Sequence, residues 1–63
     1  MPVITIEAPP IQVEKKRALC REITDAMERA YGIPREAFVI IMHDTGRENV
    51  SVGGTLLCDR QGG

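Results

Sequence analysis

The stretch AFVIIMH, residues 37–43, is the part of the sequence that decides the fold. Its five central residues, from Phe38 to Met42, are all apolar and do not alternate with polar ones. An unbroken apolar run of this length is typical of a strand in a parallel sheet that is covered on both faces. We therefore predict that residues 37–43 form a strand with protein packed on each side of it.

A first strand and one helix precede this stretch. Residues 2–7, PVITIE, alternate in the manner of a strand, with Pro2, Ile4 and Ile6 on one face. Residues 13–31 predict an amphipathic helix, whose apolar stripe consists of Leu19, Ile23, Ala26, Met27, Ala30 and Tyr31. Strand, helix and strand in this order predict a βαβ unit with a right-handed crossover.

The C-terminal third of the chain predicts a β-hairpin. The Gly53-Gly54 pair separates NVSV, residues 49–52, from TLLC, residues 55–58, and a glycine pair between two short strands is a turn signal. The final residues, 61–63, are expected to be a flexible tail. We therefore predict one domain over residues 1–63, an α/β fold of the α+β kind that consists of a single βαβ unit with a C-terminal β-hairpin.

The single helix has a consequence for assembly. One helix can cover only one face of the sheet, whereas the apolar strand at residues 37–43 requires cover on both. A chain of 63 residues is also marginal alone, because it buries only roughly 60% of its unfolded surface. We therefore predict a homo-oligomer in which another copy covers the open face.

Composition excludes several functional classes. The net charge is −1, the 8 basic residues are spread along the chain, and the aromatic residues are one Tyr and one Phe, so the sequence lacks the pattern of a nucleic-acid-binding protein. It contains no apolar run near the ~20 residues that a membrane span needs, and no signal-peptide pattern, so we expect a cytoplasmic protein. Cys20 and Cys58 are too few for a disulfide scaffold, and His43 is the one histidine, so no metal or other cofactor is expected.

Pro2 has a possible chemical role besides its structural one. The structural explanation is that proline, which has no N–H, fits at the first position of a strand. If Met1 is removed, as we expect before a small residue, the nitrogen of Pro2 becomes a secondary amine. A terminal amino group titrates near neutrality, and burial favours its neutral, basic form. Pro2 is therefore the candidate general base of an enzyme.

These features together resemble the 4-oxalocrotonate tautomerase family, whose fold is tautomerase/MIF-like. The resemblance covers essentially the whole chain and is carried, beyond Pro2, by EKKRALCREITDAM, IPREAFVIIMHD and VSVGG. It implies a βαβ unit with a hairpin, assembled as a hexamer that is a trimer of dimers. It also implies a cofactor-independent isomerase, a keto–enol tautomerase in which Pro2 moves a proton from a 2-hydroxy-dienoate or related enol to carbon.

The chain departs from the family at the positions that bind dicarboxylates. The family's two arginines and one aromatic residue are replaced here by, in order, the loop Pro9-Pro10-Ile11, then Val39, and Val50. None of these side chains can pair with a carboxylate or stack on a diene. The resemblance therefore implies an arginine-poor member whose partner is a small enol or keto acid, neutral or with one carboxylate.

Five residues are candidates for substrate binding. Ile11, Val39 and Val50 occupy the family's binding positions, while Arg47 and His43 could reach a pocket from a neighbouring subunit. Two other functions stay open. The fold could serve as a non-catalytic binding or assembly module, or the proline could perform a hydration or form an imine with a carbonyl. The state of the amino terminus distinguishes these possibilities from the tautomerase.

Overall fold

The computed structural model describes residues 1–60, so the predicted flexible tail at 61–63 lies outside the described residues. One helix and four strands are joined by short 3₁₀ turns at residues 35–37, 47–49 and 57–59. The regular elements are β1 (Val3–Ala8), α1 (Val13–Tyr31), β2 (Val39–Asp44), β3 (Ser51–Val52) and β4 (Thr55–Leu56).

Strands β1 and β2 form a two-stranded parallel sheet. The register runs from Val3 opposite Val39 to Ala8 opposite Asp44. At the C-terminal ends of both strands, the Thr45 N–H donates a hydrogen bond to the Ala8 carbonyl at 2.9 Å. Helix α1 occupies the residues predicted for it, 13–31. The predicted βαβ unit is confirmed.

The end of helix α1 is fixed to the turn that leads into β2. Gly32 has φ 67°, and its N–H donates to the Glu28 carbonyl at 2.8 Å, which ends the helix with a left-handed cap. The Arg35 guanidinium donates to the carboxylates of Asp25 at 3.0 Å and Glu28 at 2.7 Å. The hydrogen bond with Asp25, helped by the charge of Glu28, raises the pKa of Arg35 above its usual value. These contacts connect the turn at residues 35–37 to α1.

Strand limits differ from the predicted ones. Strand β1 spans residues 3–8 rather than 2–7, and β2 begins at Val39 rather than at residue 37. Residues 35–37 form a 3₁₀ turn instead, in which the Ala37 N–H donates to the Pro34 carbonyl at 3.0 Å. Proline at 34 fixes its own φ near the value such a turn needs and has no N–H to give a strand.

The hairpin is present but shorter than predicted. Its strands have two residues each, 51–52 and 55–56, because residues 57–59 turn into a 3₁₀ segment in which the Arg60 N–H donates to the Leu57 carbonyl at 3.1 Å. Gly53 and Gly54 have φ values of 61° and 86°. Positive φ at both turn residues is the type I′ geometry, which explains why two glycines stand there.

The helix stripe is covered only in part. Leu19, Ile23 and Met27 are half-buried, whereas Ala26, Ala30 and Tyr31 are exposed. A helix of 19 residues is about 28 Å long, while a strand of six residues spans about 20 Å. A sheet of two such strands is therefore too small to cover the whole predicted stripe within a single protomer.

The protomer has no closed core. No residue among 1–60 reaches full burial, and on the sheet face away from α1 the side chains of Val3 and Ile41 are 52% and 45% exposed. The radius of gyration is 15.2 Å, against roughly 10–11 Å for a compact chain of this length. The described fold is thus an open layer with one uncovered apolar face.

No helix within residues 1–60 is long and apolar enough to cross a membrane.

Candidate active site

Pro2 lies at the head of β1, where its backbone is held by the sheet. Its carbonyl accepts a hydrogen bond from the Val39 N–H at 3.0 Å. Pro2 is half-buried, whereas the side chain of Met1 is 88% exposed. Because the ring fixes φ and the carbonyl is bonded to β2, the direction of the proline nitrogen is set by the sheet. Of the predicted site residues, Val39 is the one beside Pro2.

Ile11 and His43 lie at the opposite end of the sheet. They line a pocket where β1 and β2 end, together with Ile6, Ala8, Pro9, Leu19 and Met42. The cavity holds about 30 Å³, far below the ~300–1,000 Å³ typical of small-molecule sites. In one protomer this pocket is therefore too small and too open to enclose a substrate.

An ion pair stands in this pocket, and the sequence did not single it out. The Lys16 ammonium lies 2.8 Å from the Asp44 carboxylate, with the two side chains 28% and 46% exposed. Both residues contribute to the pocket lining. A signal for Lys16 was available, because it precedes Leu19 by three positions and so lies on the stripe side of α1. Asp44, which directly follows the predicted strand at residues 37–43, gave no comparable sign.

Arg47, through its side chain, and Val50, through its backbone, make hydrogen bonds to the hairpin. The Arg47 guanidinium donates to the Leu57 carbonyl, and the Val50 carbonyl accepts from the Leu57 N–H at 2.9 Å. Both contacts tie the turn at 47–49 to the far side of the hairpin. Within one protomer, the six predicted site residues thus occupy three places: the head of the sheet, its far end and the hairpin.

The arginine near the head of the sheet is already paired. Arg35, in the turn before β2, contacts the carboxylates of both Asp25 and Glu28, so its charge is compensated twice. Within residues 1–60, no group of three or more His, Cys, Asp or Glu side chains is arranged to hold a metal ion. The predicted site residues at this end of the sheet are Pro2 and the apolar Val39.

The two cysteines are expected to do no chemistry. Cys20 is half-buried on α1. Cys58 is exposed in the last 3₁₀ turn, where its Sγ lies 3.8 Å from Oδ1 of its neighbour Asp59. A cysteine on a helix stripe usually acts as a small apolar side chain. A Cys20→Ser, Cys58→Ser variant should keep its rate of turnover and lose at most a few degrees in Tm, measured by steady-state kinetics and thermal melting. Loss of turnover with the assembly intact would contradict this.

A parallel βαβ unit that continues into a short β-hairpin defines the class of small tautomerase-fold proteins. The chain belongs to the tautomerase family, because the family profile described as "Tautomerase enzyme" matches residues 2–60. This confirms the family resemblance and supports a tautomerase-type, isomerase function. No protein of curated function matches the chain.

Solved structures agree with this assignment. The chain is similar to DmpI from Archaeoglobus fulgidus, at 38% identity and a TM-score of 0.82, over 92% of this chain and 100% of that one. It is similar to a 4-oxalocrotonate tautomerase isozyme from Methylibium petroleiphilum, at 33% identity and a TM-score of 0.77, over 90% and 94%. TomN, a 4-oxalocrotonate tautomerase homologue of the tomaymycin biosynthetic pathway, is 28% identical with a TM-score of 0.84, over 94% and 92%.

Proposed function

We propose that this chain is a cytoplasmic, cofactor-independent keto–enol tautomerase for a small enol or 2-hydroxy-dienoate acid. The nitrogen of Pro2, freed by removal of Met1, is its general base. The observation that carries this proposal is the position of Pro2, half-buried at the head of a parallel strand with its carbonyl bonded to the Val39 N–H. Membership of the tautomerase family supports the reaction type.

The proton transfer needs only one group that can accept and return a proton. The neutral amine of Pro2 takes the proton of the enol hydroxyl, and the oxygen becomes a carbonyl. The electron pair of the carbon–carbon double bond then takes the proton back from the ammonium at carbon. Substrate and product are isomers, and the amine ends as it began, as general acid–base catalysis requires. Half-burial of Pro2 favours the neutral amine that starts the cycle.

The assembly that we propose is a homo-oligomer, a hexamer formed as a trimer of dimers. Its support is the sheet face away from α1, where Val3 and Ile41 are about half exposed, and the lack of any fully buried residue among 1–60. Covering such side chains contributes about 25 cal/mol per Å² of apolar surface. A second copy of the chain carries the same apolar face, so it is a partner whose surface can cover this one.

The preferred substrate should carry one carboxylate rather than two. Val39 and Val50 are apolar, so a second carboxylate placed against either would lose water without gaining a partner. We expect kcat/KM for phenylenolpyruvate to exceed that for 2-hydroxymuconate by about tenfold or more, measured by ultraviolet absorbance on protein lacking Met1. A higher kcat/KM for 2-hydroxymuconate would contradict this prediction.

The second candidate function is a non-catalytic binding or assembly module. It is favoured by the pairing of Arg35 with both Asp25 and Glu28, which leaves this arginine occupied near the head of the sheet. The two functions differ in one measurement. Protein that lacks Met1 and binds small carboxylates, but leaves the rate of ketonisation at its value in buffer, would be such a module.

A further inference from the structure

The cations of the chain differ in whether they are free to meet a substrate. Arg35 is held by two carboxylates, and Arg47 is held by the Leu57 carbonyl. Lys16 differs from both, because it lines the apolar pocket at the far end of the sheet and has one partner, Asp44, at 2.8 Å. Both members of that pair are partly exposed, so an incoming carboxylate can reach the ammonium.

We propose, on the basis of the tautomerase function above, that Lys16 binds the carboxylate of the substrate and that Asp44 competes with it for this cation. The apolar walls of the pocket, which include Ile6, Leu19 and Met42, then receive the apolar part of the same molecule. A lysine ammonium with an apolar surround suits a substrate with one carboxylate and an apolar tail. In the same pocket a second carboxylate would also lie near Asp44, which repels it.

The base that serves this pocket belongs to a second copy. Pro2 and Ala8 lie at opposite ends of β1, six residues apart, which is about 20 Å along a strand. A small enol acid cannot span that distance. The outer edge of β1 has no partner strand among residues 1–60. Two copies that pair through this edge about a two-fold axis run antiparallel, so Pro2 of one lies beside the Ala8 end of the other.

The faces of the strand agree with this arrangement. Residues two apart in a strand share a face, so Pro2 lies on the same face as Ile6 and Ala8, which line the pocket. When the two-fold axis is perpendicular to the sheet, both helices stay on one side, and the partner's proline stays on the pocket side. The second copy also adds wall to a cavity of about 30 Å³ that is incomplete alone.

Kinetics of three variants test the role of Lys16. In protein lacking Met1, Lys16→Met should raise KM for phenylenolpyruvate about tenfold with a much smaller change in kcat. Asp44→Asn should lower KM, because it removes the competing carboxylate. Lys15→Met, a change of the same type at an exposed neighbour outside the pocket, should leave both constants unchanged. An unchanged KM in Lys16→Met, or equal effects at Lys15 and Lys16, would overturn the proposal.

Binding of an unreactive acid separates this proposal from the proposed function. The affinity for 3-phenylpropanoate, measured by NMR titration of protein lacking Met1, should fall about tenfold in Lys16→Met and rise in Asp44→Asn. If this pattern appears in protein with no tautomerase activity, the Lys16 site stands and the catalytic function fails. If the protein is an active tautomerase and neither variant changes the affinity for 3-phenylpropanoate from the native value, the function stands and the Lys16 site fails.

Mixed oligomers test whether Pro2 and Lys16 of one site come from different copies. A pair that contains one Pro2→Ala chain and one Lys16→Met chain then has one site with both changes and one site with neither. Co-expressed mixtures should therefore regain a component that combines the native kcat with the native KM, because Pro2→Ala alone lacks the native kcat and Lys16→Met alone lacks the native KM. If both residues came from the same copy, every site would carry one change, and the absence of a component with both the native kcat and the native KM would overturn the two-copy arrangement.

Discussion

Protein that retains Met1 should be nearly inactive as a tautomerase, whereas the same chain without Met1 should accelerate ketonisation of phenylenolpyruvate. With Met1 in place the nitrogen of Pro2 is part of an amide and cannot accept a proton near neutral pH. General acid–base catalysis contributes typically about 10²–10⁴-fold, so a loss of this size is expected. The two forms can be prepared with and without a methionine aminopeptidase and verified by intact mass before rates are measured.

Pro2→Ala is the matched control for this experiment. Alanine also permits removal of Met1, but its nitrogen is a primary amine that lacks the ring and its fixed φ. The variant should be slower than the native protein without being inert. The rate should rise with pH through one amine pKa in both proteins, because the neutral amine is the base and its fraction grows with pH. Equal rates for the processed and Met1-retaining forms would show that the proline nitrogen is not the base.

Pattern and spacing predicted the architecture because each element is specified locally. The unbroken apolar run that includes Phe38 and Ile41 predicted a strand of a parallel sheet, and the helix at 13–31 is bounded by clear signals such as Gly32. The start of β2 was less accessible, since residues 35–37 form a turn in which Arg35 contacts α1. Such a tertiary contact has no periodic signature in the sequence.

The candidate site was harder to predict than the fold, for a physical reason. Pro2 and Val39 are far apart in sequence but adjacent in the sheet, and the family resemblance was needed to connect them. The pair of Lys16 with Asp44 joins the first turn of α1 to the end of β2, a contact between residues 28 positions apart. The division of the site among copies that we propose adds a further step, because Pro2 and Lys16 lie at opposite ends of the sheet in one protomer.

Replacing Ile41 with lysine should break the assembly, and with it the activity. Ile41 lies on the sheet face away from α1 and is 45% exposed in the protomer, so in an oligomer it would be covered by another copy. Burying an unpaired ammonium costs several kcal/mol at each of several equivalent contacts, more than the ~1.5–3 kcal/mol that burial of an isoleucine contributes. Light scattering of Ile41→Lys at micromolar concentration should report a species far smaller than that of the native protein.

Dissociation is expected to unfold the chain in part, because none of residues 1–60 is fully buried within one protomer. The helical circular dichroism signal and the tautomerase rate should therefore fall together with the mass in Ile41→Lys. Val3→Lys, on the same face of the neighbouring strand, should act in the same way. Glu22→Lys, which adds a lysine at an exposed position of α1, is the matched control and should keep mass, helicity and rate. A native mass in both sheet variants would mean that this face is open to solvent in the assembled protein.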